Sequence, residues 1–376
     1  MARQASGRGQ FGSCNIFHLT PLGLSLMNAF PSPSIAVVIP CYRVATHILD
    51  VIKRIGPEVG WIIAVDDGCP EYSGDLIEQQ CHDRRVRVLR HERNMGVGAA
   101  VMTGYRAALD LPVLAVVKID GDGQMDPALI QTLCEPLLKG RADYVKGNRF
   151  YRVRHTAGMP VVRLLGNAAL SFITKFSSGY WQLFDPTNGF TAIHRALLAE
   201  LEFASIAKRY FFESDLLYHL NQLRAVVTEM PMPASYTDES SSLSPIKMVG
   251  PFLRGNLLNA VKRIFYSYFV RGFSVASIEL LFGIVLLAFG IVFGAWHWWL
   301  SLTHDLPATA GTVMVAALPL ILGVQLLLSW LGFDVAAEPR HPVHALLWQR
   351  RVCINVKDRE ESTSGAAEQK TKISHV

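Results

Sequence analysis

From residue 34 onward, short apolar runs alternate with stretches whose apolar residues recur at helical spacing. SIAVVIP (34–40) is apolar and closed by Pro40; WIIAV (61–65), VRVLR (86–90), VLAVVKI (113–119) and DYVKG (143–147) continue the series. Apolar runs of this length suit the strands of a parallel sheet. Between them, ILDVIKRI and the segments at about 96–109 and 127–139 carry helical periodicity. The alternation predicts right-handed βαβ units, and so an α/β domain with a mostly parallel sheet covered on both faces. Ligands of such sheets bind beyond the carboxyl ends of the strands. The residues that follow each run are therefore where chemistry is expected.

A second regime begins near residue 275. Residues 275–299 (VASIELLFGIVLLAFGIVFGAWHWW) and 309–333 (TAGTVMVAALPLILGVQLLLSWLGF) are almost unbroken apolar runs, each longer than the ~20 residues a membrane-spanning helix needs. Arg254, Lys262, Arg263 and Arg271 precede the first, and Arg340, Arg350, Arg351 and Lys357 follow the second, whereas the connecting SLTHDLPA has neither Lys nor Arg. The positive-inside rule then predicts a multi-pass hairpin in the cytoplasmic (inner) membrane, with the globular domain and both termini cytoplasmic. Trp296, Trp298 and Trp299 would mark the far interface. Residues 248–273 mix basic side chains with Phe252, Phe265, Tyr266, Tyr268 and Phe269, as an amphipathic helix in the headgroup plane does; a core helix is the competing reading. The expected organisation is an extension over 1–33, a globular domain over 34–247, the interfacial helix over 248–273, two spans within 274–334, and a polar tail over 335–376. Met27 stands just ahead of the first strand, so residues 1–26 read as a dispensable extension.

Composition changes this picture little. Half of the 376 residues are hydrophobic and 18% are charged, an excess that the two long runs explain. A formal charge of +5 suits an anionic membrane surface or phosphorylated substrates, and gives no ground for a nucleic-acid partner. The six cysteines form no CxxC pair and read as reduced structural thiols.

Acid and glycine follow the strands. Asp66-Asp67-Gly68 comes after the second run, and Asp120-Gly121-Asp122-Gly123-Gln124 after the fourth. Carboxylates gathered at one sheet edge repel unless a cation or hydrogen-bond donors meet them. An Asp-x-Asp turn offers hard oxygen ligands to Mg²⁺ or Mn²⁺ that also holds a diphosphate, although a solvated acidic turn has the same sequence.

VIPCYR (38–43), VDDGCPEYSG (65–74), NMGVGAAVMTGYRAAL (94–109), IDGDGQMDP (119–127) and KGNRF (146–150) occur in this order at strand ends. Over roughly residues 34–240 the series resembles the family-two glycosyltransferases with the GT-A nucleotide-sugar-binding fold. It is most similar to the dolichyl-phosphate mannose synthase and bacterial polyprenyl-phosphate sugar transferase branch, in which a two-helix anchor is common. The resemblance implies a UDP- or GDP-linked sugar as donor, with Pro40, Tyr42 and Asp67 at the nucleoside and Asp66 beside them. It implies that Asp120, Asp122 and Gln124 serve the metal and diphosphate, and that Arg149 lies beside the phosphates. Arg163 and Asn167 fall where the branch grips the acceptor phosphate, and their spacing puts both on one helical face. Asp185 and Asn188 (DPTNGF) match the sugar pocket. Glu213 and Asp215 (FFESDLL) stand where many relatives carry a catalytic base, with sugar positioning or helix capping as alternatives. Two departures stand out: Arg43 and Val44 replace a polar and an acidic residue of the donor site, and YTDESSSLSPIK (236–247) lacks the usual arginine. Lys247 is left there as a phosphate neutraliser, or the stretch is a serine-rich linker.

The implied activity is inverting transfer of a sugar to undecaprenyl or dolichyl phosphate, within cell-envelope glycan synthesis. The alternatives are a transferase that extends a lipid-linked or polysaccharide glycan through an acidic base, and an inactive scaffold subunit. A processive synthase is disfavoured, because QLLLSW (325–330) is not a QxxRW motif. A second copy of the chain is a candidate partner through the apolar hairpin.

Overall fold

The computed structural model describes residues 34–151, 161–233, 245–305 and 307–348. The chain runs β1 (Ile35–Cys41), α1 (Ile48–Arg54), β2 (Val59–Asp66), α2 (Ser73–Gln80), β3 (Val86–Arg90), α3 (Val97–Leu109) and β4 (Ala115–Lys118). After a 3₁₀ turn at Pro127–Leu129 it continues through α4 (Ile130–Leu138), β5 (Tyr144–Asn148), α5 (Val161–Ser178), β6 (Thr191–His194), α6 (Arg195–Leu198), α7 (Phe212–Gln222) and β7 (Val227–Pro231). The last three helices are α8 (Pro245–Phe265), α9 (Val275–His304) and α10 (Ala310–Ala336), with a π-helical turn at Tyr266–Arg271 between α8 and α9. Each of the five strands and three helices expected in the globular part is present, with ends shifted by a few residues.

The seven strands are ordered β3-β2-β1-β4-β6-β5-β7. β6 pairs antiparallel with both β4 and β5, while the remaining pairs are parallel, so six strands point one way. Because side chains alternate across a strand, β1 feeds two cores. Val37 and Ile39 pack with Ile48, Ile52, Ile130 and Leu133 of α1 and α4 on one face. Ala36 and Val38 pack with Val101, Tyr105 and Leu216 of α3 and α7 on the other. β3 lies at the sheet edge, and only its inward residues are covered.

α8 is built inside out. Asn256, Asn259 and Arg263 are buried against the domain, whereas Val249, Leu253, Leu257, Val261 and Phe265 form an exposed stripe one helical turn apart. The two buried asparagines find partners: Ser177 Oγ donates to Asn256 Oδ1 at 2.5 Å, and Asn259 Nδ2 donates to Asp215 Oδ1 at 2.7 Å. α9 and α10 are both long and apolar enough to cross a membrane. They pack closely along glycines; a Cβ at Gly323 would lie 2.6 Å from the Leu287 amide, and one at Gly290 2.9 Å from that of Leu320. Arg263, counted above among the flanking positive charges, is buried in an ion pair with Asp334.

Beyond α10 the chain returns to the start of β5. The Val343 and His344 amides and His344 Nδ1 all hydrogen-bond the buried Asp143 carboxylate, and His344 stacks on His194 at 4.2 Å between centroids. Burial pushes the His194 pKa from its ordinary 6.5 down to about 3. As pH falls through 6.5 the unfolded chain takes up this proton, while the folded chain takes it up only near 3. The His194 contribution is therefore intact above pH 6.5 and is lost at up to about 1.4 kcal/mol per pH unit below it. Thermal midpoints measured from pH 7 to pH 4 should fall, and His194→Gln should flatten the fall; an unchanged slope would remove His194 as its origin.

Candidate active site

The parallel strands bring their carboxyl ends to one edge, where β6, running the other way, begins. That edge collects the Tyr42 loop, Asp66-Asp67, the Asp120–Gln124 turn, Arg149, the Asp185–Gly189 segment and the first turn of α7. Pro40 is inside β1, paired with Val65, and Tyr42 is exposed at the mouth.

Asp66 and Asp67 are engaged by the backbone. Asp66 accepts from the Cys69 and Gly74 amides, both at 2.7 Å, closing the turn into α2. Asp67 accepts from the Met95 and Gly96 amides at 2.9 and 2.7 Å, just ahead of the α3 N-terminus, and pairs with His91 Nδ1 at 2.7 Å. Both are buried, and they fix the loops that follow β2 and precede α3.

The Asp-Gly-Asp turn is held differently. Lys118, the last residue of β4, is buried and bridges Asp120 at 2.9 Å and Glu213 of α7 at 3.1 Å. Burial disfavours the charge on Lys118, but the two carboxylates outweigh it and its pKa is raised. Asp122 is half-buried, and its Oδ1 accepts from the Gln124 amide at 3.0 Å. Gly123 turns the chain at φ +75, where a side chain would be strained. A Cβ on Gly189 would collide with Lys118 Nζ and Asp120 Oδ2, so the segment entering β6 lies directly against this pair.

Among the described residues, no group of three or more His, Cys, Asp or Glu is placed to hold a metal ion. Two carboxylates on one turn nevertheless fit Mg²⁺ or Mn²⁺, because such ions take one or two carboxylates and complete their shell with water and substrate phosphate. Asp120 and Asp122 are the donors that can serve, with Gln124 beside them.

Arg149 follows β5. Its Nε and one terminal nitrogen clamp the buried Asp185 carboxylate at 2.8 and 3.0 Å, and its amide donates to Asp185 as well. Asp185 sits on a segment whose amides at Phe184 and Asp185 donate to Glu229 Oε1 at 2.7 and 2.8 Å. Asn188 is buried: its Oδ1 accepts from the Phe190 amide, and its carbonyl accepts from Lys146 Nζ at 2.8 Å. Asp185 and Asn188 thus act on the protein's own loops.

The two acidic residues of α7 diverge. Glu213 faces Lys118, whereas Asp215 is buried between the Ala207 amide at 2.7 Å and Asn259 of α8 at 2.7 Å. Asp215, the candidate for a catalytic role, thus has its oxygens turned to the Ala207 amide and the α8 junction, and Glu213 is the member of the pair that lies beside the Asp-Gly-Asp turn through Lys118. Side chains two residues apart on a helix point about 200° apart, which sends the two to different neighbours. The backbone of α5 carries positions 163 and 167 one turn apart. The side chains of Arg163, Asn167 and Lys247, and the linker 234–244, lie outside the described residues.

Lys118, Lys146 and Glu229 were not among the sequence candidates. Lys118 and Lys146 both register with Thr191 across β4-β6-β5 and so share one face of the sheet. Among the described residues no carboxylate is in direct contact with Lys146, and burial lowers its pKa to about 8. A lysine inside an otherwise apolar strand is the signal that could have found them, since a buried charge demands a partner.

Residues 36–202 match the family model described as Glycosyl transferase family 2. The chain is 28% identical over 230 residues to the UDP-N-acetylglucosamine--dolichyl-phosphate N-acetylglucosaminyltransferase of Methanococcus voltae, covering 57% of this chain and 91% of that protein. It is 25% identical over 232 residues to the undecaprenyl-phosphate mannosyltransferase of Micrococcus luteus, covering 61% and 93%. Among solved structures, glucosyl-3-phosphoglycerate synthase from Mycobacterium tuberculosis in complex with Mn²⁺, UDP and phosphoglyceric acid aligns with a TM-score of 0.47 at 20% identity, over 66% of this chain and 84% of that one.

Proposed function

The chain carries a glycosyl transferase family 2 domain on a GT-A-like fold, and from that premise we propose that it transfers a sugar from a nucleotide-sugar to a polyprenyl phosphate at the cytoplasmic membrane face. One observation carries the choice of acceptor. Both carboxylates that stood as candidate bases are committed, Glu213 to Lys118 and Asp215 to Asn259. A sugar hydroxyl must lose its proton to a base, whereas a phosphate acceptor is already anionic and needs none. The names of the two relatives, both polyprenyl-phosphate transferases, agree with this reading.

In the mechanism, Tyr42 and the loops held by Asp66 and Asp67 receive the nucleoside. Asp120 and Asp122 would hold Mg²⁺ or Mn²⁺ brought with the diphosphate, and the ion would supply positive charge to the leaving group. Lys118 keeps Asp120 oriented. Arg149, aimed by Asp185, attracts the acceptor phosphate, with Arg163 and Asn167 assigned the same anion. A phosphate oxygen attacks the anomeric carbon from the face opposite the diphosphate; the carbon–oxygen bond to the diphosphate breaks, and the configuration inverts. The apolar stripe of α8 would rest in the headgroup layer, with α9 and α10 spanning the bilayer. Trp181 and Asp334, and Asp143 and His344, tie the C-terminal end of the α9–α10 pair to the globular domain, and Arg263 of α8 joins the same Asp334 carboxylate, which supports one membrane side for all of them.

The test is transfer of radiolabel from a nucleotide-sugar into organic-extractable lipid, using the full chain in vesicles containing polyprenyl phosphate. Label should enter the lipid phase, and Glu213→Gln should retain turnover within about tenfold; label confined to water-soluble glycan, with a loss in Glu213→Gln on the order of 10²–10⁴ as for a removed base, would replace the lipid acceptor by a hydroxyl acceptor.

A further inference from the structure

Asp334 occupies an unexpected place. It lies in the last turn of α10, where an acid opposes the helix dipole, on a helix otherwise apolar enough to span a membrane. It is nevertheless buried and receives four donors. Arg263 of α8 donates to Oδ1 at 2.7 Å and to Oδ2 at 3.0 Å, the Tyr268 hydroxyl donates to Oδ1 at 2.7 Å, and Trp181 Nε1 donates to Oδ2 at 2.9 Å. Arg263 also reaches the Phe176 carbonyl of α5 at 2.9 Å. Just past α10, Glu338 Oε2 accepts from the Gln182 amide at 3.3 Å.

Trp181 and Gln182 open the segment that delivers Asp185 to Arg149. The far end of that segment is fixed by Glu229 through the Phe184 and Asp185 amides. It is thus held from the apolar-helix side by Asp334 and Glu338 and from the sheet side by Glu229, with the Asp185–Arg149 clamp at its end. We infer that Asp334 and Glu338 are positioning residues, through which the second apolar helix sets the active-site segment 181–185 and hence the attitude of Arg149. The seating of α10 in the bilayer thereby fixes the orientation of the anion-binding arginine, coupling membrane engagement to acceptor capture. The link to acceptor capture rests on the proposed role of Arg149; the clamp itself rests on the geometry.

The test uses the full chain in phosphatidylglycerol-containing nanodiscs, with Trp181→Phe, which removes the indole donor and keeps an aromatic ring beside Phe172 and Phe176, combined with Glu338→Ala. The amides of Phe184 and Asp185 should exchange hydrogen faster. KM for polyprenyl phosphate should rise about tenfold, as a small misplacement of a positioning group does, with KM for the nucleotide-sugar and the thermal midpoint unchanged. Glu338→Gln, which keeps an acceptor oxygen, should restore the Glu338 part of the effect. Unchanged exchange at both amides, or a fall in kcat that matches a loss of folded protein with both KM values intact, would overturn the inference. If the wild type labels no prenyl lipid yet the variant amides still loosen, the acceptor reading falls and the clamp stands.

Discussion

Asp122→Ala is expected to reduce sugar transfer about a thousandfold while leaving the fold intact, because transition-state charge stabilisation is commonly worth that much. The turn it occupies is anchored elsewhere, by Lys118 on Asp120 and by the left-handed Gly123. Within the turn Asp122 accepts from the Gln124 amide at 3.0 Å, and loss of such a bond costs about 1 kcal/mol, small beside the expected loss of rate. The change removes one of only two carboxylates on the turn that can meet a divalent ion. Removal of the metal with EDTA should therefore abolish wild-type turnover and add nothing to the variant. Initial rates with and without Mn²⁺, beside thermal midpoints, decide the matter. Turnover within threefold of wild type would dismiss a donor-site role for Asp122 and favour a scaffold.

Lys118→Met should have the largest effect on stability. Lys118 is buried, and its ammonium is the cation between Asp120 and Glu213. Removing one partner of a buried ion pair leaves uncompensated charge and costs about 3–5 kcal/mol. For a domain of this size that corresponds to a fall of roughly 6–20 °C in thermal midpoint. Activity should fall as well, since Asp120 loses the donor that orients it. The double variant Lys118→Met/Glu213→Leu should recover much of the stability, because replacing both partners by apolar side chains is often neutral. A single variant within about 1 kcal/mol of wild type, by thermal or denaturant midpoint, would mean that the pair is solvated and carries little.

The pattern of apolar runs was enough to place β1 to β5 and the helices α1, α3 and α4, because burial on two faces leaves a local signature in composition. β7 escaped it: VTEMP is a half-exposed edge strand that carries Glu229, and its pattern resembles a loop. The acidic turns were equally legible, since Asp-Gly-Asp after a strand needs no knowledge of neighbours. Their contacts were not. Asp67 read as a position beside the nucleoside, and only the structure shows its carboxylate meeting the Met95 and Gly96 amides and His91. Asp215 read as a base, a sugar-positioning residue or a helix cap, and only the structure shows its oxygens meeting the Ala207 amide and Asn259.

The sequence by itself determined the α/β alternation, the sheet edge at which the chemistry gathers, the two apolar helices and the metal-suited turn. Each follows from local periodicity, chain length or side-chain chemistry, which neighbours in space do not alter. Only the tertiary structure decided who partners whom. Lys118 meets Glu213 across 95 residues of chain, and Arg263 meets Asp334 across 71. It also set β6 antiparallel between β4 and β5, and turned α8 so that its polar face is inside. A charge signals in sequence only that it needs a partner once buried; which partner it finds is fixed by packing between elements far apart in the chain.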